Sequence, residues 1–275
     1  MTTRFQAENA SGSSESWPHD TAAKFGEPAW ILTYHEIEPE NSNYLYALTA
    51  HQLDEQLRLI SEKNRSGLTV AGVTFDDGHF SNFTVARPLL EQHGIRATFF
   101  VTAGRTEQSS KWMSWGQLRE LVKSGHRVQS HGWSHKFLVQ CSESELLEEL
   151  RRSKSELEGR LGQLVDSISV PGGRWNVRVL RRAAETGYRS VYISDFWRKP
   201  AQEEGVRVLG RFMMQNTMTL PQLERWLATD VNSMRLLRAK GHLKDAARAL
   251  VGDRLYHRLW CWLAVSGSEQ TEEES

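Results

Sequence analysis

Two adjacent carboxylates close an apolar run in Ala71-Gly72-Val73-Thr74-Phe75-Asp76-Asp77-Gly78, and two histidines four residues apart follow in Ser130-His131-Gly132-Trp133-Ser134-His135. Neighbouring carboxylates repel each other, so such a pair calls for a cation, a shared proton or a positive neighbour. One carboxylate with two imidazoles makes a three-ligand set that leaves positions open for water and substrate, which is how a catalytic divalent metal is usually held. Such a metal brings the pKa of a bound water to roughly 7 and polarises a carbonyl. The second carboxylate is then left as a base for that water. Non-haem iron oxygenases use the same ligand set, but they usually sit in a double-sheet β fold.

The elements that must position these groups alternate. Strand-like runs lie at Ala29–His35, at 71–75, at Ile95–Val101, at His126–His131, at Asp166–Val170, at Ser190–Ile193 and at Val206–Leu209. Helical patterns fall between them: 50–63 behind the cap Thr49, the segment 83–93 helical after Pro88, 115–124 behind Ser114, 142–161 with Glu145 in capping-box position, and 176–186. Further helical segments are expected at about 219–228 and 232–263. Strand and helix alternating with short connectors indicate a parallel α/β fold. The polar residues His35, Asp76, Asp77, His131, Pro171-Gly172 and Asp195 fall at successive strand ends. That favours a barrel, whose active site lies at the C-terminal rim of its strands. No GxGxxG follows the first strand and no GxxxxGK[ST] occurs, so dinucleotide and P-loop chemistry have no support.

Composition sets the frame. The 275 residues suffice for one large α/β domain, expected over 28–265, between a polar N-terminal tail (1–27) and an acidic one (266–275). Lys plus Arg number 34 and Asp plus Glu number 34, which argues against a nucleic-acid binder. Two cysteines without CxxC spacing, Cys141 and Cys261, make neither a disulfide framework nor a cysteine zinc site. With no run of signal-peptide or transmembrane length, the expected setting is cytoplasmic. The aromatic, basic stretch 254–263 could rest on a membrane surface or pack as an ordinary amphipathic helix.

The two motifs together resemble the polysaccharide deacetylase family (the NodB-homology domain, carbohydrate esterase family 4) over about residues 30–212. Thr74-Phe75-Asp76-Asp77-Gly78 matches its first motif, Ser130–His135 its second, and Ala97-Thr98-Phe99-Phe100-Val101 the strand after the first motif. The resemblance implies a distorted (β/α)7 barrel with C-terminal helices that removes N-acetyl groups from amino sugars. By motif, Asp76 is the general base, and Asp77, His131 and His135 hold the metal, commonly Zn2+. Tyr34-His35-Glu36 resembles the opening of the exopolysaccharide-biosynthesis branch.

Two departures stand out. Ser169-Val170-Pro171-Gly172-Gly173 keeps the proline of the family's third motif but lacks the arginine that normally orients the base. Leu209-Gly210-Arg211 has arginine where the last motif has the histidine that protonates the leaving amine. Arginine stays charged, so it could stabilise an oxyanion but not act as that acid. His35 is the first substitute for the acid and His79 the second. Pro171, Gly172, Trp133, Trp175 and Arg211 are expected on the substrate side, the tryptophans stacking on sugar rings; core packing or loop anchoring is equally open for Trp175. Asp195 and Trp197 weakly resemble a further family motif. The expected substrate is an N-acylated amino sugar of a polysaccharide or lipid-linked precursor. A degenerate glycan-binding scaffold and a deacylase of non-sugar amides are the alternatives.

Overall fold

The structure, a computed structural model, describes residues 30–37, 43–67 and 71–228. Its nine-stranded sheet runs in the order β11-β1-β4-β5-β6-β7-β8-β10-β9. The strands are β1 (Trp30–Tyr34), β4 (Ala71–Phe75), β5 (Ala97–Val101), β6 (Arg127–Ser130), β7 (Ser167–Ser169), β8 (Ser190–Ile193), β9 (Ala201–Glu203), β10 (Val206–Gly210) and β11 (Phe212–Met213). Every pairing is parallel except that of β9 with β10. Two short strands, β2 (Glu36–Ile37) and β3 (Ala47–Leu48), pair separately. The expected mostly parallel α/β architecture is present.

Residues 206–213 pair with β8 at their start and with β1 at their end. Between the two, Arg211 N donates to Ile193 O, and beyond them Met214 N donates to Thr33 O. One stretch of chain therefore joins the two flanks of the sheet. A seven-stranded barrel requires that connectivity.

Among the described residues six α-helices accompany the sheet: α1 (Ala50–Ser66), α2 (Arg87–Gln92), α3 (Trp115–Lys123), α4 (Glu143–Leu161), α5 (Val177–Glu185) and α6 (Leu220–Leu227). Thr49, Ser114 and Ser142 each accept from the N3 amide, and Gln52, Gln117 and Glu145 reach back, so three helix starts are fixed by capping boxes. β5 is buried at all five positions, as its unbroken apolar run implies.

Besides the short strands β2, β3 and β11, which were not expected, two elements differ from the sequence reading. The segment 83–93, expected to be helical only after Pro88, opens with a π-helical turn, Asn82–Ala86, before α2. Pro88 has no amide hydrogen for the i−4 carbonyl, which favours that local rearrangement. β9 was not expected, because Ala201-Gln202-Glu203 has little β propensity. It forms through a two-residue hairpin, Glu204 and Gly205 both having positive φ (47° and 84°). The tails and the 232–263 segment, with Trp260 and Trp262, lie outside the described residues. Trp226, on α6, meets Phe212 edge to face at 4.4 Å.

Candidate active site

Strand register brings the chemistry to one rim. Tyr34 pairs with Phe75, Phe75 with Phe99, and Val101 with Ser130, so His35, Asp76, Asp77 and His131 leave their strands at nearly the same level. Asp76 N donates to Tyr34 O at 2.9 Å and His131 N to Val101 O at 2.8 Å, extending the ladder one step past the strands. Asp77 then takes a left-handed backbone (φ 72°) and turns its carboxylate away from that of Asp76.

Asp76 is 2% exposed. Arg211 Nη1 donates to its Oδ1 at 2.7 Å and Nη2 to its Oδ2 at 2.7 Å, a two-pronged ion pair. Ser169 Oγ donates to Oδ2 at 2.9 Å and accepts from Arg211 Nη2 at 2.6 Å. Arg211 Nη1 also reaches Thr74 Oγ1 at 3.3 Å, and its guanidinium lies 5.2 Å from the Phe100 ring centre. Burial alone would raise the Asp76 pKa, but the charges of Arg211 and His131 outweigh it and hold the carboxyl below its ordinary value.

Asp77, His131 and His135 bring one ligand atom each to within 4.8 Å of one another. Asp77 Oδ1 lies 3.3 Å from His131 Nε2 and 3.1 Å from His135 Nε2. Neither contact has hydrogen-bond geometry, and Oδ1 is buried with no hydrogen-bond partner. His131 Nδ1 donates to Ser169 O at 2.8 Å, which leaves the Nε2 lone pair facing Asp77. An oxygen and two nitrogens that converge without bonding one another fit a divalent cation. Burial opposes the Asp77 charge, but the two imidazoles hold its carboxyl well below the carboxylate range. Burial would lower the His131 pKa; Asp76 and Asp77 outweigh it and raise it.

His35 sits 7% exposed beside these groups, and its Nδ1 has no hydrogen-bond partner. Burial lowers its pKa, against the pull of Asp77 and Asp76. A neutral His35 is the consequence near pH 7.

Residues 63–191 match the sequence model of the family described as polysaccharide deacetylase. Over those residues the chain is similar to that family. It is 29% identical over 176 residues to YxkH of Bacillus subtilis, covering 58% of this chain and 62% of that one. It is 29% identical over 108 residues to the peptidoglycan-N-acetylglucosamine deacetylase PgdA of Listeria monocytogenes, covering 39% of this chain and 22% of that one. The match thus spans less than two thirds of either relative. Among solved structures, the Streptococcus pyogenes deacetylase PplD, in complex with acetate, superposes with TM-score 0.63 at 25% identity, covering 72% of this chain and 97% of that one.

Several residues stand apart from their expected places. Arg211 is 1% exposed and its two terminal nitrogens are taken up by Asp76, Ser169 and Thr74, so it does not face a substrate. It sits instead beside Asp76 and Ser169, next to the stretch that lacks the expected arginine. Trp133 is no open platform either. The Arg152 guanidinium lies 3.8 Å from its ring centre, and a Cβ on Gly104 would fall 2.9 Å from its fused-ring carbon, so only glycine fits there. Trp175 is a loop anchor: its Nε1 donates to Asp195 Oδ2 at 3.0 Å and Arg198 lies 4.5 Å from its ring centre. That contact also accounts for Asp195, while Trp197 packs edge to face on Phe196.

His79, the second substitute for the acid, is buried, its Nδ1 at 2.7 Å from Ser81 Oγ. Pro171 is buried and Gly172 exposed at the end of β7. Among the described residues, sequence reasoning missed Tyr44, Ser169 and Glu149. Tyr44 is 40% exposed, and its ring meets Tyr46 at 5.7 Å, which meets His35 at 5.1 Å. Surrounding protein and then the Asp77 charge push its phenol above the ordinary range. Glu149 carried a signal, since it interrupts the apolar stripe of α4; Tyr44 and Ser169 carried none.

Proposed function

We propose that this protein is a metal-dependent N-deacylase that removes an N-acetyl group from an amino sugar of a glycan. The observation that carries this reading is the convergence of Asp77, His131 and His135 beside the buried Asp76–Arg211 pair. Asp77 Oδ1 and the Nε2 atoms of both histidines would hold the ion, and the nitrogen and carboxylate donors suit Zn2+. Lewis acidity at that point polarises the acyl carbonyl and acidifies a water.

Asp76 takes the proton from the attacking water. A carboxylate with a depressed pKa is a weak base, so it depends on that water being acidified first. Arg211 and Ser169 fix its orientation and keep it charged. His35 relays a proton to the leaving amine: a neutral imidazole can accept at one nitrogen and donate from the other. Tyr44 offers an aromatic face to the sugar ring at the outer side of the same rim. The relative named for peptidoglycan N-acetylglucosamine supports an N-acetylated glycan, and the Tyr34-His35-Glu36 resemblance supports the exopolysaccharide-biosynthesis branch.

The test is metal content together with acyl release from N-acetylglucosamine oligosaccharides. About one zinc per chain is expected, lost in His135→Ala, which removes one of three protein ligands. Asp76→Asn should keep the metal and lose activity by about a hundredfold or more. A zinc-loaded protein that releases acetate from small amides but from no amino sugar would move the reading to non-sugar amides. One that binds these oligosaccharides without cleaving them would leave a scaffold.

A further inference from the structure

A buried carboxylate outside the ligand set grips the loop that joins the two histidines. Glu149 lies on α4, 4% exposed, among Leu146, Leu150, Ser153 and Leu157 on the buried face of that helix. Its Oε2 accepts from Trp133 N at 2.8 Å and from Ser134 N at 2.9 Å, and its Oε1 accepts from Ser134 Oγ. One turn on, Ser153 Oγ accepts from Ser130 Oγ at 2.9 Å, and Ser130 Oγ in turn accepts from Gly132 N at 3.1 Å. Residues three and four apart on one helix face thus reach the loop from its start at Ser130 to Ser134.

The loop needs such a hold. His135 has φ 68° and Gly132 φ 79°, both left-handed, and a histidine stays there only where its surroundings fix it. Trp133 N and Ser134 N point away from the sheet ladders, so without Glu149 two amides would be left without their acceptor beside a core helix.

We propose that Glu149 is a positioning residue for the metal: by holding Trp133 and Ser134 it sets the separation of the His131 and His135 imidazoles. The proposal rests on the metal-site reading above. An unheld loop would have to be ordered at each binding event, and that cost appears as weaker affinity. Hydrogen bonding rather than charge does the holding, because every contact is to a donor of the loop.

The test is zinc affinity of the full chain by competition with a chromophoric chelator, beside the melting temperature of the metal-free protein. Glu149→Leu should weaken zinc binding by about 10- to 100-fold, as loss of groups that orient ligands does. Glu149→Gln should stay within about threefold, since its oxygen can accept both amides and its NH2 can donate to Ser134 Oγ. Leu157→Ala, on the same helix but away from the loop, should lower the melting temperature and leave affinity unchanged. Should Glu149→Leu not fold, Ser134→Ala reads the same contact and should weaken binding by a smaller factor.

Unchanged affinity in Glu149→Leu, or in Ser134→Ala where that variant replaces it, would overturn the proposal. So would equal losses in the Leu and Gln variants, or a loss in Leu157→Ala that tracks its stability. A wild-type chain that binds no zinc would defeat the metal-site reading and this proposal together, whereas wild-type binding with an indifferent Glu149 defeats the proposal alone.

Discussion

Arg211 and Asp76 meet through two contacts of 2.7 Å although 135 residues separate them in the chain. Both are almost wholly buried, and the guanidinium rests near the ring of Phe100. Removing one partner of such a pair leaves an uncompensated buried charge, which costs about 3–5 kcal/mol. Arg211→Met should therefore lower stability in denaturant by about that much, raise the Asp76 pKa and reduce acyl release by about a hundredfold or more. Adding Asp76→Asn should recover part of the stability, because no charge is then left unpaired. A stable, active Arg211→Met would mean that Asp76 needs no guanidinium.

A pH effect on stability is expected away from the site. His126 is buried against Phe99, and its Nδ1 accepts from Ala97 N at 3.2 Å, which requires the neutral ring. Burial lowers its pKa from 6.5 to about 4. Above pH 6.5 both folded and unfolded chains hold it neutral. Between pH 6.5 and about 4 the unfolded chain gains the proton and the folded one does not, so stability falls through that window and levels off below it. The loss is on the order of 2 kcal/mol, allowing for partial solvation. Denaturant melts of wild type and His126→Asn from pH 7.5 to 4 check this through their difference, which should shrink as pH falls and stay constant if His126 titrates normally.

Tyr44 carries a prediction about substrate. Its carbonyl accepts from Ala47 N at 3.0 Å and from Asn216 Nδ2 at 3.1 Å, so the exposed ring stands on a fixed backbone. Tyr44→Ala should raise KM about tenfold, the factor that roughly 1.4 kcal/mol of stacking represents, with kcat little changed. Tyr44→Phe should behave as wild type. A fall in kcat at constant KM would place the residue in the chemistry instead.

Much of the molecule could be read locally. Thr49, Ser114 and Ser142 announced their helices because a cap acts within four residues. Asp76-Asp77 and His131-His135 announced a candidate metal site because each pair is close in sequence, and the strands that carry them flank β5 in the sheet. The π-turn at Asn82–Ala86 and the strand Ala201–Glu203 were not announced. One answers to backbone geometry around Pro88, the other to a hairpin partner rather than to its own residues.

The sequence by itself determined the α/β alternation, the carboxylate pair and the imidazole pair, because these are settled by short-range pattern and side-chain chemistry. Tertiary structure alone decided where Arg211 points, that Arg152 covers Trp133, and that Glu149 holds the histidine loop. Those facts depend on which side chains share a buried volume, and partners 16 to 135 residues apart leave no periodic trace in the chain. The arginine missing from the third motif could be noted in the sequence; that another, from the junction of β10 and β11, lies beside Asp76 followed from strand register.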